Sequence, residues 1–396
     1  MAECNLKKAL LISGERSFRN TEMIALLKRA NFSIDFLTSN LFHFFYKDVK
    51  NFIYISHQQD KPFAIFKKTF NYDLVVSLGD FELKIIIDSN LPVASKLKLL
   101  PIIKAKNIKH LCSKIELSKI FKKNNIPSPA FEIVNEYKNI DTLAKKLGFP
   151  VLLKIDYSGG GAGTFKLNAS HDILKIPNHF KGRRLLLQKF IDGKLLDLSG
   201  FYQQGKLIHF GYSEFIEANS NPFGPSILKR YVKNRTSDKN IIQELSAIGY
   251  ALGLNGFTNV GCLESNLDGN RYYFEVDVRP NDWINYPSYF GDDPALSIKN
   301  YFDKNDFIKP LKITYKNQEK SFVLANPSRL NFYELIINKY HWMGYSSFYS
   351  VLMHRLSLLA FNPIEKFKVF SVRYIKPNIS IKNWKKLKQL ALKFSL

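Results

Sequence analysis

Residues 257–281 hold the densest set of side chains that could do chemistry. Glu264, Glu275, Asp277 and Arg279 fall on two apolar segments joined by Leu267, Asp268, Gly269 and Asn270. Asp-Gly is a strong hairpin-turn dipeptide. The flanking Val260, Cys262 and Leu263, and then Tyr272, Tyr273, Phe274, Val276 and Val278, have strand composition. Residues i and i+2 of a strand share a face, so Glu275 and Asp277 point the same way, and Arg279 continues that face if the strand runs on. Carboxylates clustered in a partly buried sheet need compensation. A divalent cation with oxygen ligands supplies it, most commonly Mg2+ carrying nucleotide phosphates. Glu264, Glu275 and Asp277 are the candidate ligands. Taken alone, the hairpin is equally well read as a surface element with salt-bridged acids.

A second group lies upstream. The apolar stretch 148–157 carries a single lysine, Lys154, and runs directly into Ser158, Gly159, Gly160, Gly161, Ala162, Gly163 and Thr164. A glycine run between two strands is expensive in chain entropy. It implies close backbone approach to another group, with free N–H donors for an anion. The pattern is not a P-loop, which needs Gly-Lys-Ser/Thr before a helix.

The elements that would position these groups follow from periodicity. Residues 7–110 alternate short strands (9–13, 33–37, 52–55, 73–77) with a helix at 21–30, which argues for a parallel sheet covered on both faces. The loop after the first strand reads as solvated, with Arg16, Ser17 and Arg19 as secondary candidates for substrate contact. A helix over 113–124 opens with a capping box, Ser113 and Glu116. A strand at 131–134 and a helix at 141–147 precede Lys154. Leu185, Leu186 and Leu187 begin an apolar strand that ends Gln188, Lys189, Phe190, Ile191, Asp192. Antiparallel strands are expected at 198–201 and 206–213, a loop at 214–235, and an amphipathic helix at 240–252. Residues 290–310 read as a helix and connection, and 311–324 as possible strands. The last helix candidate, 381–396, is basic and amphipathic, able to lie on an anionic membrane or to pack its apolar side on the protein.

The chain has 396 residues, 45% of them hydrophobic, enough for two or three domains with real cores. Its net charge of +24 favours anionic partners. Cys4, Cys112 and Cys262 show neither paired nor metal spacing, which suits a reducing cytoplasm. The first residues lack a long apolar segment, so no signal peptide is expected, and no run of about 18 apolar residues occurs, so no spanning helix is expected.

The order of these features resembles the ATP-grasp superfamily: a helix with Ser113 and Lys114, a strand with Lys154, a glycine-rich hairpin, a strand ending Gln188 to Gly193, and a carboxylate hairpin ending Glu-x-Asp-x-Arg-Pro-Asn. The resemblance covers roughly residues 100–290. It implies a mixed α/β and α+β chain: a Rossmann-like pre-ATP-grasp domain (1–105) and a two-lobed ATP-grasp domain (106–310, small lobe about 130–193, large lobe about 194–310); the basic helical C-terminal extension (311–396) lies beyond the resemblance. Lys114 and Lys154 match the family's phosphate lysines. Ser158, Gly159, Gly160 and Gly161 match the flap over the phosphates; Gln188, Lys189, Phe190 and Ile191 match the adenine hinge, with Asp192 toward the ribose. Glu264 and Glu275 match the paired Mg2+ ligands, Asp277 stands where asparagine is usual, and Arg279 matches the arginine that steadies the transferred group. Leu195 replaces an acid common after the hinge, which leaves the ribose to Asp192 or Asp197. Arg230 is the candidate for holding the acceptor carboxylate.

The implied activity is ATP- and Mg2+-dependent (with Mn2+ as an alternative) activation of a carboxylate as an acyl phosphate, then joining to an amine. An ATP-grasp phosphotransferase without acyl transfer is the first alternative. A basic protein bound to membrane or nucleic acid, with a vestigial ATP site, is the second. The retained charges disfavour the latter, and nucleic acid is the weaker partner. The expected partners are ATP, small carboxylate and amine substrates or a peptide, and an anionic membrane surface; the expected location is the cytoplasm, with a peripheral place at the membrane as the variant.

Overall fold

In a computed structural model of the chain, the described residues are 6–14, 18–40, 43–44, 46, 48–54, 71–218, 222–304 and 321–325. The expected helix at 381–396, almost all of the 311–396 extension, and Arg16 and Ser17 lie outside them. Among the described residues no helix is long and apolar enough to cross a membrane.

The first sheet is parallel. It holds β1 (Lys7–Ile12), β2 (Phe32–Thr38), β3 (Asn51–Tyr54) and β4 (Leu74–Ser77) in the order β3-β2-β1-β4. Between them run α1 (Phe18–Arg29) and, after β4, α2 (Asp80–Asp88) and α3 (Val93–Leu99). The strands are apolar on both sides because both sides are covered. Ala9 and Leu11 pack with Met23 and Leu27 of α1, whereas Leu10 and Ile12 pack with Leu83 and Ile86 of α2. The second face is also continuous with a core that includes Leu196, Leu198 and Val260. That shared core brings the start of α2 to the hairpin.

After a 3-10 segment, Ala105–Cys112, comes α4 (Lys114–Lys123). Half of the expected capping box forms: the Ser113 side chain accepts the Glu116 N–H, while the Ser113 N–H donates to His110 O and the Glu116 carboxylate turns to Lys119. A small antiparallel sheet follows, built from β5 (Phe131–Val134), β6 (Val151–Ile155), β7 (Thr164–Leu167) and β8 (Leu185–Lys189) in the order β5-β8-β6-β7, with α5 (Ile140–Leu147) between β5 and β6. Val151, Leu153, Leu185 and Leu187 bury one face with Ile140 and Ala144 of α5.

The large sheet contains β9 (Gly193–Gln203), β10 (Lys206–Ala218), β11 (Ser226–Val232), β12 (Gly256–Ser265), β13 (Arg271–Asp277) and, beyond α7 (Pro294–Lys304), β14 (Ser321–Ala325). Its order is β13-β12-β9-β10-β11-β14, with α6 (Lys239–Leu252) between β11 and β12 in sequence. Here the expected loop at 214–235 is corrected. β10 runs on to Ala218, and β11 occupies Ser226–Val232. Among the described residues, 222–225, with Pro222, Gly224 and Pro225, lie in the turn between them. Lys229 and Arg230 broke the apolar alternation that marks a strand, and Lys229 is nevertheless buried.

Candidate active site

The small sheet turns its other face to the cleft. Leu152 pairs with Gln188 and Lys154 with Leu186, so these side chains oppose the α5 face. The Lys154 ammonium donates to Gln188 Oε1 at 2.7 Å and sits 4.9 Å above the Phe274 ring of the hairpin in the large sheet. Burial lowers its pKa to about 8, with Glu275 opposing and Lys114 adding to the drop. A buried lysine held as a cation beside a carboxylate is a receptor for further negative charge.

Lys114 begins α4 and reaches the base of the glycine loop, donating to the Ser158 carbonyl and lying 3.4 Å from its hydroxyl. The loop is closed by Ile155 N–H to Gly163 O at 2.8 Å and by Ser158 Oγ to Ile155 O at 3.0 Å. Gly160 and Gly161 have φ of +60° and +76°. At Gly161 a Cβ would stand 2.3 Å from Phe223 O, so the tip lies backbone to backbone against the turn between β10 and β11. Glycine is required there twice over, by conformation and by approach.

The segment 188–192, expected as the adenine hinge, makes several contacts within the protein. Lys189 spends its ammonium on Gly148 O at 2.7 Å, and its N–H on Ala130 O. Phe190 N–H donates to Pro150 O at 3.2 Å, and Lys166 sits 3.7 Å above the Phe190 ring. Asp192 accepts from Asn266 Nδ2 at 3.1 Å, and its carbonyl accepts the Asn266 N–H. Asp192 therefore ties β9 to the β12–β13 turn, while Gln188 belongs to Lys154. Asp197, the other ribose candidate, is paired inside the large sheet.

The register of the large sheet decides which carboxylates meet. Gly261 is opposite Glu275, and Asn259 is opposite Asp277. On the other side of β12, Gly261 is opposite Asp197 and Asn259 is opposite Ser199. These residues share one face. Glu264 does not. It is an odd number of residues from Gly261 on an unbroken ladder, pairs with Lys194 and Arg271, and lies 4.0 Å from Arg235. Of the three candidate ligands Glu264, Glu275 and Asp277, the register thus places Glu275 and Asp277 on one face and Glu264 on the other. Arg230 is corrected in the same way: it pairs with Glu214 and lies 3.4 Å from that carboxylate, which also meets Lys194 at 3.2 Å. Glu214, through Leu196 and Cys262, shares the face of Glu264.

Arg279 lies just past β13 and does face the cleft. Its Nε and Nη2 reach the two oxygens of Asp80 at 2.6 and 2.8 Å, and Nη2 is 3.3 Å from Asp277. Burial works against this guanidinium, but Asp277, Asp80 and Glu275 outweigh it and raise its pKa. Asp277 is held well above the ordinary carboxylate range, first by burial and then by Glu275 and Asp80, with Arg279 and Lys114 pulling the other way. Such an acid would be relieved by a cation. Among the described residues no three His, Cys, Asp or Glu side chains converge on a metal position. Mg2+ keeps waters and takes one or two carboxylates plus substrate phosphates, so Glu275 and Asp277 fit it as a pair.

Several neighbours were not anticipated. Asp80 comes from α2, far away in sequence, and no local signal marks it. Lys229 is 1% exposed, bonded to Asp197 and flanked by the rings of Phe215 and Trp283 at 5.2 and 5.0 Å. Asn281 donates to Ser199 Oγ at 2.9 Å and to Asn259 Oδ1 at 2.8 Å, which fixes the segment carrying Arg279. Polar residues at i and i+2 of an otherwise apolar strand (Asp197, Ser199) were the available sign. Arg19 is bound to Asp282, with Nε to Oδ1 at 3.2 Å, and to Leu78 O.

No family model matches the chain. A segment of 164 residues, 39% of the chain, is 27% identical to the carbamoyl phosphate synthase large chain of Clostridium botulinum, and covers 15% of that protein. The chain thus corresponds to a small part of the curated relative. Among solved structures, N5-carboxyaminoimidazole synthase from Aspergillus clavatus, in complex with ADP and 5-aminoimidazole ribonucleotide, superposes with a TM-score of 0.61 at 16% identity, over 81% of this chain and 82% of that one. The L-amino acid ligase of Bacillus licheniformis gives 0.57 at 16% identity, over 80% and 79%. With the cleft between a lysine-bearing small sheet and a carboxylate-bearing large sheet, these likenesses show that the chain has the ATP-grasp fold.

Proposed function

We propose that the protein is an ATP- and Mg2+-dependent ligase that activates a carboxylate as an acyl phosphate and joins it to an amine or similar nucleophile. The observation that carries this reading is the juxtaposition across one cleft of Lys154, Lys114 and the glycine loop with Glu275, Asp277 and Arg279. Neighbours in fold include a synthase in complex with ADP and an amino acid ligase, which supports the same reaction class.

In this scheme Lys114 and Lys154 neutralise the phosphate chain, and the loop at 158–163 covers it. Glu275 and Asp277 would hold Mg2+, which supplies charge neutralisation between the phosphates. Arg279 is fixed on one edge by Asp80 and beside Asp277, and its Nη1 group makes no hydrogen bond among the described residues. That amino group is left for the carboxylate oxygen under attack or the phosphoryl group in transfer. The carboxylate displaces ADP from the γ-phosphorus; the amine then displaces inorganic phosphate from the acyl carbon and loses a proton. Positioning and charge neutralisation are most of what phosphoryl transfer asks of a protein.

The test is Mg-ATP-dependent phosphate release across amino acids, small carboxylates and peptides, with hydroxylamine present. A hydroxamate is the expected product; ADP formation with a phosphorylated product and no hydroxamate points to the phosphotransferase. No Mg-ATP binding at all rejects both. The basic segment 381–396 is proposed to hold the protein at anionic lipid in the cytoplasm; co-sedimentation with anionic but not neutral liposomes, lost on removing 376–396, is the expected result.

A further inference from the structure

Asp156 is fully buried, yet it has no part in the chemistry above. It follows β6 directly, two residues past Lys154 and two before Ser158. Its Oδ1 accepts the Ser113 hydroxyl at 2.8 Å and the Ile115 N–H at 2.9 Å. Its Oδ2 lies 3.2 Å from Nη1 of Arg184, whose side chain is 54% exposed. The backbone closes the same joint: Asp156 N–H donates to Arg184 O at 2.9 Å, and Lys114 N–H approaches Asp156 O at 3.5 Å.

One carboxylate therefore hangs the first turn of α4 on the end of β6. Lys114 lies between the two residues that Asp156 grips, and its own ammonium goes to the Ser158 carbonyl. A buried carboxylate is costly unless paired, and an apolar side chain could fill the same space without that cost. What an apolar side chain cannot do is fix a helix terminus against a strand end in one register. We propose that Asp156 is a positioning residue for phosphate binding, setting Lys114 against Lys154 and against the base of the glycine loop. The proposal rests on the ATP-binding reading of the site.

The test compares Mg-ATP with adenosine, which lacks the phosphates, by calorimetric titration of the full chain. Asp156→Ala is expected to weaken Mg-ATP by ~10-fold or more, because charge-assisted contacts depend on Lys114, and to leave adenosine within ~2-fold. Asp156→Asn keeps an acceptor for Ser113 and Ile115 and is expected to restore Mg-ATP to within ~3-fold of wild type. Equal losses for both ligands would mean a general structural role and overturn the proposal, as would unchanged Mg-ATP affinity. If Asp156→Ala does not fold, Ser113→Ala decides: a loss of ~3-fold or more confined to Mg-ATP supports the proposal, and no loss, or a loss shared with adenosine, overturns it. Wild-type protein that binds no Mg-ATP refutes the nucleotide reading itself, and the proposal with it.

Discussion

Replacing Lys154 by methionine should stabilise the ligand-free protein while abolishing its response to Mg-ATP. Lys154 is 7% exposed, and burial brings its pKa from the ordinary 10.5 down to about 8. A displacement of that size corresponds to about 3 kcal/mol, at ~1.4 kcal/mol per pH unit. The sign follows from proton binding. The unfolded chain keeps this proton up to about pH 10.5, whereas the folded chain releases it near 8. The folded state thus bears the whole cost below pH 8 and sheds it as the pH rises toward 10.5. Methionine fills similar space without charge. Its penalty is the buried Gln188 oxygen, which loses its donor at 2.7 Å, a loss of ~1–3 kcal/mol. The balance at pH 7 is a gain of about 1 kcal/mol, or ~2 °C in Tm. By pH 10 the gain should have reversed, because the wild-type lysine is then neutral. Unfolding of both proteins at pH 7 and pH 10, with and without Mg-ATP, measures this directly. A stability difference that does not change between the two pH values would refute the argument from burial. A variant that still gains stability from Mg-ATP would refute the role in phosphate binding.

The register of the large sheet separates two glutamates: Glu275→Gln should lose most of the thermal gain from Mg-ATP, while Glu264→Gln should keep it, and the opposite ranking would move the cation to the other face. Asp80→Ala should lower kcat by ~10-fold or more with little change in KM for ATP, because it frees the Arg279 guanidinium that is proposed to act on the transferred group; a loss in ATP affinity alone would contradict that. His110 is 3% exposed, and burial lowers its pKa to about 4. Between the unfolded value near 6.5 and that folded value the unfolded chain binds the extra proton, so stability falls as the pH drops, by about 3 kcal/mol in all. Chemical denaturation of His110→Leu from pH 7 to pH 4 should show a shallower decline than wild type, and parallel curves would exclude His110 as the source.

Local patterns were legible where one rule dominated. The helix cap at Ser113, the apolar strands at 7–12 and 151–155, and the hairpin turn around Gly269 each follow from a few adjacent residues. Strand β11 was not legible, because Lys229 is buried through a partner 32 residues away in sequence. Glu264 looked like a site residue because it lies on the right hairpin. The face it occupies depends on register, and a step of one residue turns a strand's side chain to the other side.

The sequence by itself determined most of the order of elements, the placing of Lys114 and Lys154 on a helix and a strand, the glycine loop, and the pair Glu275 and Asp277, whose common face follows from their spacing alone. Tertiary structure decided the rest. It removed Glu264 and Arg230 to the opposite face, added Asp80 from helix α2, and set Asp156 between helix and strand. The physical reason is that alternation within a strand is a local property. Which strand stands beside it, and which helix terminus meets its end, is fixed only when the shared core closes.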